Sequence, residues 1–485
     1  MSGSTLIRPQ HDRSRLLDKT IPSLLQPLIR AYVLGYASST APRLLTLLLT
    51  HLSRRRKNID IRPNDPFFPS LLAILRGGLE LQRFPTFCAA LVGGSTLFEI
   101  PLRNLFFQLG TRLTSSARFR FTRWVATFVA AWLSLKLLQS KKSEAFTECV
   151  TYDTPDGRQT RLKQFAGRTM DLTLFAVTRA LDIMVGELWS RRKLRKTAAG
   201  TLTSVEKLTS RLTDSAIFSI SCALIMWAWV YSPDRLPHSY VKWIKSAAAV
   251  DERLLTALRR MRYGEIKYGV ETGQAHVLQG MCKDYDLPLN YGDPVKSIPF
   301  PCEVVHMGSG PSCEYHAASR MLRSFIWAFM TYLPLNLAIS LRNPSLRSLK
   351  RALKSSLRSS AFLGSFITLF YYGICLARTR LGPRLLGSST SKCQQMDSGL
   401  CIASGCSLSG WSILLENGGR RQDISLFVAP RALATLLPRR YPMESQWRET
   451  LAFAASAATV FTCVKERPER VRGVLGKVLR SVLAA

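Results

Sequence analysis

The chain states one set of membrane-length apolar segments twice, and that repetition limits its fold more than any other feature. The stretch 171–181 aligns with 423–433 through Asp171/Asp423, Leu174/Leu426, Phe175/Phe427, Arg179/Arg431, Ala180/Ala432 and Leu181/Leu433. A second pair, 69–103 against 344–378, runs without gaps and shares Pro69/Pro344, Ser70/Ser345, Arg76/Arg351, Arg83/Arg358, Phe87/Phe362 and Arg103/Arg378. A third sets Phe218, Ser221, Ala223, Pro233 and Arg235 against Phe453, Ser456, Ala458, Pro468 and Arg470. The three pairs keep their order in both halves. A self-similar chain is read as copies of one unit before any other assignment.

Spanning a bilayer takes about 20 mostly apolar residues. Ser215–Tyr231 meets this without a charge and ends in aromatic residues suited to the interface. The segments 324–341, 361–377, 399–415 and 451–464 follow in the second half, and 87–102 and 124–138 in the first. Glu99 and Lys136 sit near the ends of the last two, where a charged head reaches the interface at low cost. Three further segments are ambiguous between spanning and interfacial helices. They are 171–189 with Asp171, Arg179 and Asp182; 423–437 with Asp423, Pro430 and Arg431; and 22–52, broken by Arg30 and Pro42.

The expected fold is therefore all-α: a polytopic integral membrane protein of two repeats, each of four to five helices. An odd number of spans per repeat inverts the second copy, and an even number leaves the copies parallel. We expect the inverted arrangement. The expected organisation is a leading helical segment (1–66), a first repeat (67–232), a polar linker (233–322), a leading helix with the second repeat (323–465) and a basic tail (466–485). Ala89, Ala90, Gly93, Gly94 and Ser95, and later Ser404, Gly405, Ser407, Ser409 and Gly410, are the small-residue surfaces on which helices approach closely in lipid.

The net charge of +35 resides largely in loops between apolar runs. Nucleic acid is not the expected partner, because Lys and Arg are spread over nearly every loop with no accompanying aromatic-and-basic recognition motif. Anionic lipid headgroups attract juxtamembrane basic segments by about 1 kcal/mol per residue. The bilayer is thus the expected partner, with a second copy of the chain as a further one. Residues 1–20 lack the apolar core of a signal peptide, and Asp12 and Asp18 oppose an import presequence.

The chain has 11 cysteines, several inside apolar runs (Cys88, Cys222, Cys375, Cys463) and read there as small buried hydrophobes. The exception is Cys302-x3-His306-x6-Cys313-x2-His316, with Gly308, Gly310 and Pro311 supplying a turn. Tetrahedral N/S ligation of zinc requires four such side chains. Four protein ligands leave no open position, so a metal here would be a structural clip. A Cys302–Cys313 disulfide in an oxidising space is the competing chemistry. No phosphate-binding, dinucleotide-binding or nucleophile-elbow signature is present, and the expectation is no enzyme.

Three features together resemble the transmembrane protein 135 family, in its fungal-type form: the run 361–366, the Gly/Ser-rich span ending at 410–414, and the box Cys302, His306, Pro311, Cys313. The family is distantly similar to the four-helix channel subunits of inner-membrane protein translocases. The resemblance implies a mitochondrial or peroxisomal membrane and a role in fission–fusion balance and lipid homeostasis. The alternative is a carrier or channel whose polar path runs along Asp171, Arg179, Asp182, Asp423 and Arg431.

Overall fold

The structure, a computed structural model, describes residues 22–56, 67–108, 114–154, 157–201, 203–341 and 343–483. The expectations for residues 1–20, including Asp12 and Asp18, lie outside these. In chain order the main elements are α1 (Gln26–Arg56), α2 (Phe67–Gly77), α3 (Phe84–Leu97), α4 (Glu99–Gln108), α5 (Ser115–Gln139), β1 (Thr147–Thr154), β2 (Gly157–Ala166), α6 (Met170–Ala198) and α7 (Ser204–Tyr231). They continue as α8 (His238–Ala248), α9 (Glu252–Arg262), α10 (His276–Asp284), α11 (Cys313–Ser340), α12 (Leu346–Leu376), α13 (Cys401–Ser409), α14 (Gly418–Leu436), β3 (Tyr441–Pro442), α15 (Gln446–Glu466) and α16 (Gly473–Leu483).

Among the described residues, 6 helices are long and apolar enough to cross a membrane: Phe84–Gln108, Ser115–Gln139, Ser204–Tyr231, Cys313–Ser340, Leu346–Leu385 and Thr390–Leu415. Each contains one of the expected spans, that at 324–341 ending one residue earlier, at Ser340. The seventh, 451–464, is helical within α15 but is not among the six. Its apolar run rises only about 21 Å at 1.5 Å per residue, against a hydrocarbon core of about 30 Å. The ambiguous segments in α1, α6 and α14 also fall outside the set. Pro42 does not break α1, which continues through it for 31 residues. A proline removes one donor, here the one that would bond the Ser38 carbonyl, and the helix continues behind it with Thr46 Oγ1 donating to the Pro42 carbonyl at 2.9 Å.

The chain divides into two compact units. The first runs to Arg192 and resumes at Arg440. Its α3 lies against α1 and α5, and the small residues of α3 set the approach. A Cβ on Gly93 would stand 2.5 Å from Leu28 Cδ1, and one on Gly94 would stand 2.9 Å from Ala130 Cβ. Phe87, Leu91, Ala131, Leu135 and Ile183 form a core with Phe453 and Phe461 of α15. The two charges noted in the sequence are both engaged. Glu99 binds Arg123 and Lys465, each at 2.7 Å, and Lys136 lies over the Trp132 ring at 5.5 Å. Among the described residues the departure from an all-helical plan is a three-stranded antiparallel sheet, with β1 on β2 from Thr147↔Gln164 to Thr154↔Gly157 and β3 on β2 at Phe165↔Pro442.

The second unit spans Lys193–Arg439. Here α12 packs on α11 and α13, while α7 packs on α13 and α14. The stretch expected to be a polar linker carries its own core. Leu254, Met261, Ile266, Leu278, Met281, Phe300 and Val304 bury one face of α9 and α10. Every 3–4 residues of α9 a leucine, alanine or methionine recurs between arginines, which is the pattern of a helix half in and half out of water.

Candidate metal centre and its buried charge network

Pro301 opens a single helical turn, Cys302–Val305. The His306 amide donates to the Cys302 carbonyl at 2.7 Å, which stacks the two side chains one turn apart on one face. The chain must then reverse within a few residues. Met307, Gly308 and Gly310 do this at φ 54°, 75° and 88°, left-handed values that glycine adopts without steric cost. The helix α11 begins at Cys313, capped by Ser312 Oγ, which accepts from the Tyr315 amide at 3.2 Å. The result is that Cys302 Sγ, a ring nitrogen of His306 and Cys313 Sγ all lie within 4.8 Å of one another. Around a tetrahedral zinc, ligand atoms stand roughly 3.5–3.8 Å apart, given Zn–S and Zn–N bonds of about 2.3 and 2.0–2.1 Å. Small side-chain rotations close that difference.

The His306 ring is fixed. Its Nδ1 donates to the Gly310 carbonyl at 2.7 Å, so Nδ1 carries the proton and Nε2 presents its lone pair. Burial holds the imidazole below its ordinary pKa and keeps it neutral, the form that ligates. Burial also pushes the Cys302 thiol up to about 11, with Cys313 adding to the rise and Arg378 opposing it. A cation reverses that balance, because thiolate ligation releases the proton. All 11 cysteines are free thiols, Cys302 and Cys313 included.

His316, expected as the fourth ligand, is not in this cluster. Its ring stacks on that of His306 with centroids 4.5 Å apart and planes at 12°. A metal lies in the plane of each imidazole that binds it, and two nearly parallel planes do not meet within bonding distance. Its Nδ1 lies 3.3 Å from Ser309 Oγ, and its Nε2 is buried without a hydrogen-bond partner. His316 instead packs edge-on against Tyr371 of α12. A further sulfur stands beside His306, that of Cys375, whose Sγ lies 3.3 Å from His306 Nε2.

Beside the cluster lies an ion pair that sequence reasoning missed. Arg378 and Asp397 meet through two hydrogen bonds, Nε–Oδ1 at 2.6 Å and Nη2–Oδ2 at 2.8 Å, with side chains only 6% and 4% exposed. Arg378 Nη2 also donates to the Phe300 carbonyl at 2.9 Å. Tyr268 donates to Asp397 Oδ2 at 2.6 Å and accepts from the Phe300 amide at 3.1 Å. Arg378 and Asp397 each sit on a wide π-helical turn, Ala377–Leu381 and Met396–Leu400. Such turns displace side chains from the regular helical stagger. Burial and the adjacent carboxylate raise the Tyr268 phenol well above its ordinary value, so it keeps the proton that it donates to Asp397. Tyr268→Phe removes one bond to a charged acceptor, and we expect a loss of about 1.5–3 kcal/mol in thermal or chemical unfolding. An unchanged midpoint would show that the phenol contributes nothing to the pair.

The five polar-path candidates are divided. Asp171, Arg179 and Asp182 lie in the first unit on α6, and Asp423 and Arg431 in the second on α14. Arg179 is buried with its guanidinium over Phe175 at 5.1 Å, and Asp182 pairs with Arg472. Asp171, Asp423 and Arg431 are half-buried.

These features define a class: an α-helical, multi-spanning membrane protein with a Cys2His cluster where a polar subdomain meets a span. Comparison with protein-family models, curated proteins and solved structures returns no match.

Proposed function

We propose that the chain is a non-enzymatic organelle membrane protein that binds lipid and acts in mitochondrial or peroxisomal organisation and lipid homeostasis. The observation that carries this reading is an apolar cavity of about 450 Å3 within the second unit. Phe218, Trp243, Phe362, Phe366, Tyr371 and Phe427 are among its lining residues. Ligand sites fall at roughly 300–1,000 Å3 and are mainly apolar and aromatic. Its ionisable side chains are Cys222, Tyr240, Tyr332 and Tyr371, with no carboxylate, amine or imidazole among the lining residues, and the apolar remainder suits an acyl chain. In the first unit a polar cavity of about 380 Å3 gathers Lys136, Lys141, Lys142 and Arg168, a charge pattern that suits an anionic headgroup.

The Cys302, His306 and Cys313 cluster enters this reading as a structural zinc clip, and its tightness favours a fastening over a reaction centre. The duplication enters it too. The last segments of the two halves, α7 and α15, are counterparts in sequence. Yet α7 packs among the second-half helices α13 and α14, and α15 on the first-half helix α5. We read this as two inverted copies that have exchanged their final helices.

The test is photolabelling of the purified chain with a mid-chain diazirine palmitate, followed by peptide mapping. Label is expected on 218–226 and 362–371 and should largely disappear in Ala247→Phe, which fills the cavity. Cells lacking the chain should show altered organelle lipids and morphology, restored by wild type and not by Ala247→Phe. Equal labelling and equal rescue by the filled variant would falsify the lipid reading.

A further inference from the structure

The geometry points to Cys375 as the fourth ligand of the centre, making it a closed Cys3His zinc site that staples the polar subdomain to the membrane span α12. This inference rests on the zinc reading of the Cys302, His306 and Cys313 cluster. Two observations carry it. His306 Nε2, the ring nitrogen left with a free lone pair once Nδ1 binds Gly310, lies 3.3 Å from Cys375 Sγ. The ligand atoms of Cys302, His306 and Cys313 lie within 4.8 Å of one another, so Cys375 stands at the edge of that cluster. Cys375 Sγ thus adjoins the Cys302, His306 and Cys313 cluster through His306 Nε2, and side-chain rotation would bring three sulfurs and one nitrogen around a common point. That set, in that number, is what a structural tetrahedral zinc requires.

The surroundings match a metal site in a second respect. A ligating histidine donates its other ring N–H to a carbonyl or carboxylate, which fixes the tautomer, and the Gly310 carbonyl fills that role at 2.7 Å. His316 lies flat against His306 and helps hold that ring, acting through it as a positioning residue.

On binding, the three thiols release their protons to solvent, and three sulfur lone pairs and the Nε2 lone pair form the bonds to Zn2+. No electron transfer is involved, and no position is left for water. The mechanical consequence follows from where the ligands sit. Cys302, His306 and Cys313 belong to one hairpin at the end of the polar subdomain, and Cys375 lies near the end of a span. The centre therefore joins the subdomain to the membrane region through a bond that chelators, acid or thiol oxidation can open.

The experiment is elemental analysis of the full-length chain purified in detergent after expression with zinc. Wild type is expected to carry stoichiometric zinc. Cys302→Ser and Cys375→Ser should each lose it, with affinity weakened by more than the roughly 10–100-fold that losing an outer partner costs. Cys375→His keeps a ligating atom and should retain metal, and after cobalt exchange it should show weaker sulfur-to-metal charge transfer than wild type. His316→Phe should retain zinc with an unchanged cobalt spectrum. Zinc lost in Cys302→Ser but kept in Cys375→Ser leaves the centre standing and removes Cys375 from it. Zinc lost in His316→Phe and kept in Cys375→Ser assigns the fourth position to His316 and overturns the inference. Wild type without zinc, with Cys302 and Cys313 found disulfide-linked by mass spectrometry, overturns the metal centre and the fourth ligand together and leaves lipid binding untouched.

Discussion

Asp397→Ala is expected to destabilise the protein by about 3–5 kcal/mol, because it strands the Arg378 guanidinium in a site where that side chain is 6% exposed. The carboxylate accepts two bonds from Arg378 and one from Tyr268, so its removal leaves three donors facing an apolar surround. The Phe300 carbonyl alone does not replace it. Removing both charges should cost far less than removing one. The desolvation that the pair must overcome disappears with it, so Arg378→Met with Asp397→Leu is expected to recover most of the lost stability. Unfolding of the two single variants and the double variant in detergent measures the coupling directly. Additive losses would mean that the two side chains do not act as a pair.

The second large effect is steric. A Cβ on Gly405 of α13 would stand 2.5 Å from the Phe370 carbonyl oxygen and 2.9 Å from Ile374 Cγ1, and one on Gly373 would stand 2.9 Å from the Gly405 Cα. The obstruction at Gly373 and part of that at Gly405 is backbone, which cannot rotate away, so α12 and α13 must separate to admit any side chain. In lipid this matters more than in water. Helix association there gains little from apolar burial and depends on close packing. Gly405→Leu is expected to cost about 3 kcal/mol or more, beyond the usual range for overpacking. Gly186→Ala, in α6 with no atom within 4 Å of its Cβ, is the control and should stabilise by about 0.5–1 kcal/mol. Both are read as the temperature at which monodisperse protein is lost on size exclusion. Equal behaviour of the two variants would show that the contact between α12 and α13 is not close in solution.

Much of this was legible in the chain. The apolar runs gave the spans because a backbone in lipid has to satisfy its own hydrogen bonds, and helix is the cheapest way to do it. The small-residue clusters of α3 and α13 were legible because only glycine, alanine and serine permit such approach. The Cys302–Cys313 hairpin could be read because its candidate ligands are neighbours and its glycines mark the reversal. Spacing failed at His316. Counting residues lists candidate ligands and says nothing of ring orientation, and the stacked rings settle that point. It failed also for β1 and β2, where a polar, charged hairpin leaves no apolar run to follow.

What the sequence determined by itself is local: which segments are apolar enough for a bilayer, where the chain turns, and which residues are small enough for contact. What the tertiary structure alone decided is who meets whom. Cys375 looks like one more buried cysteine until α12 brings it to His306, and Arg378 looks like a repeat marker until Asp397 arrives beside it on the next wide turn. Those partners are separated along the chain by 69 and 19 residues, and no short-range periodicity encodes them. Their meeting follows from the packing of whole helices, to which every residue of each helix contributes.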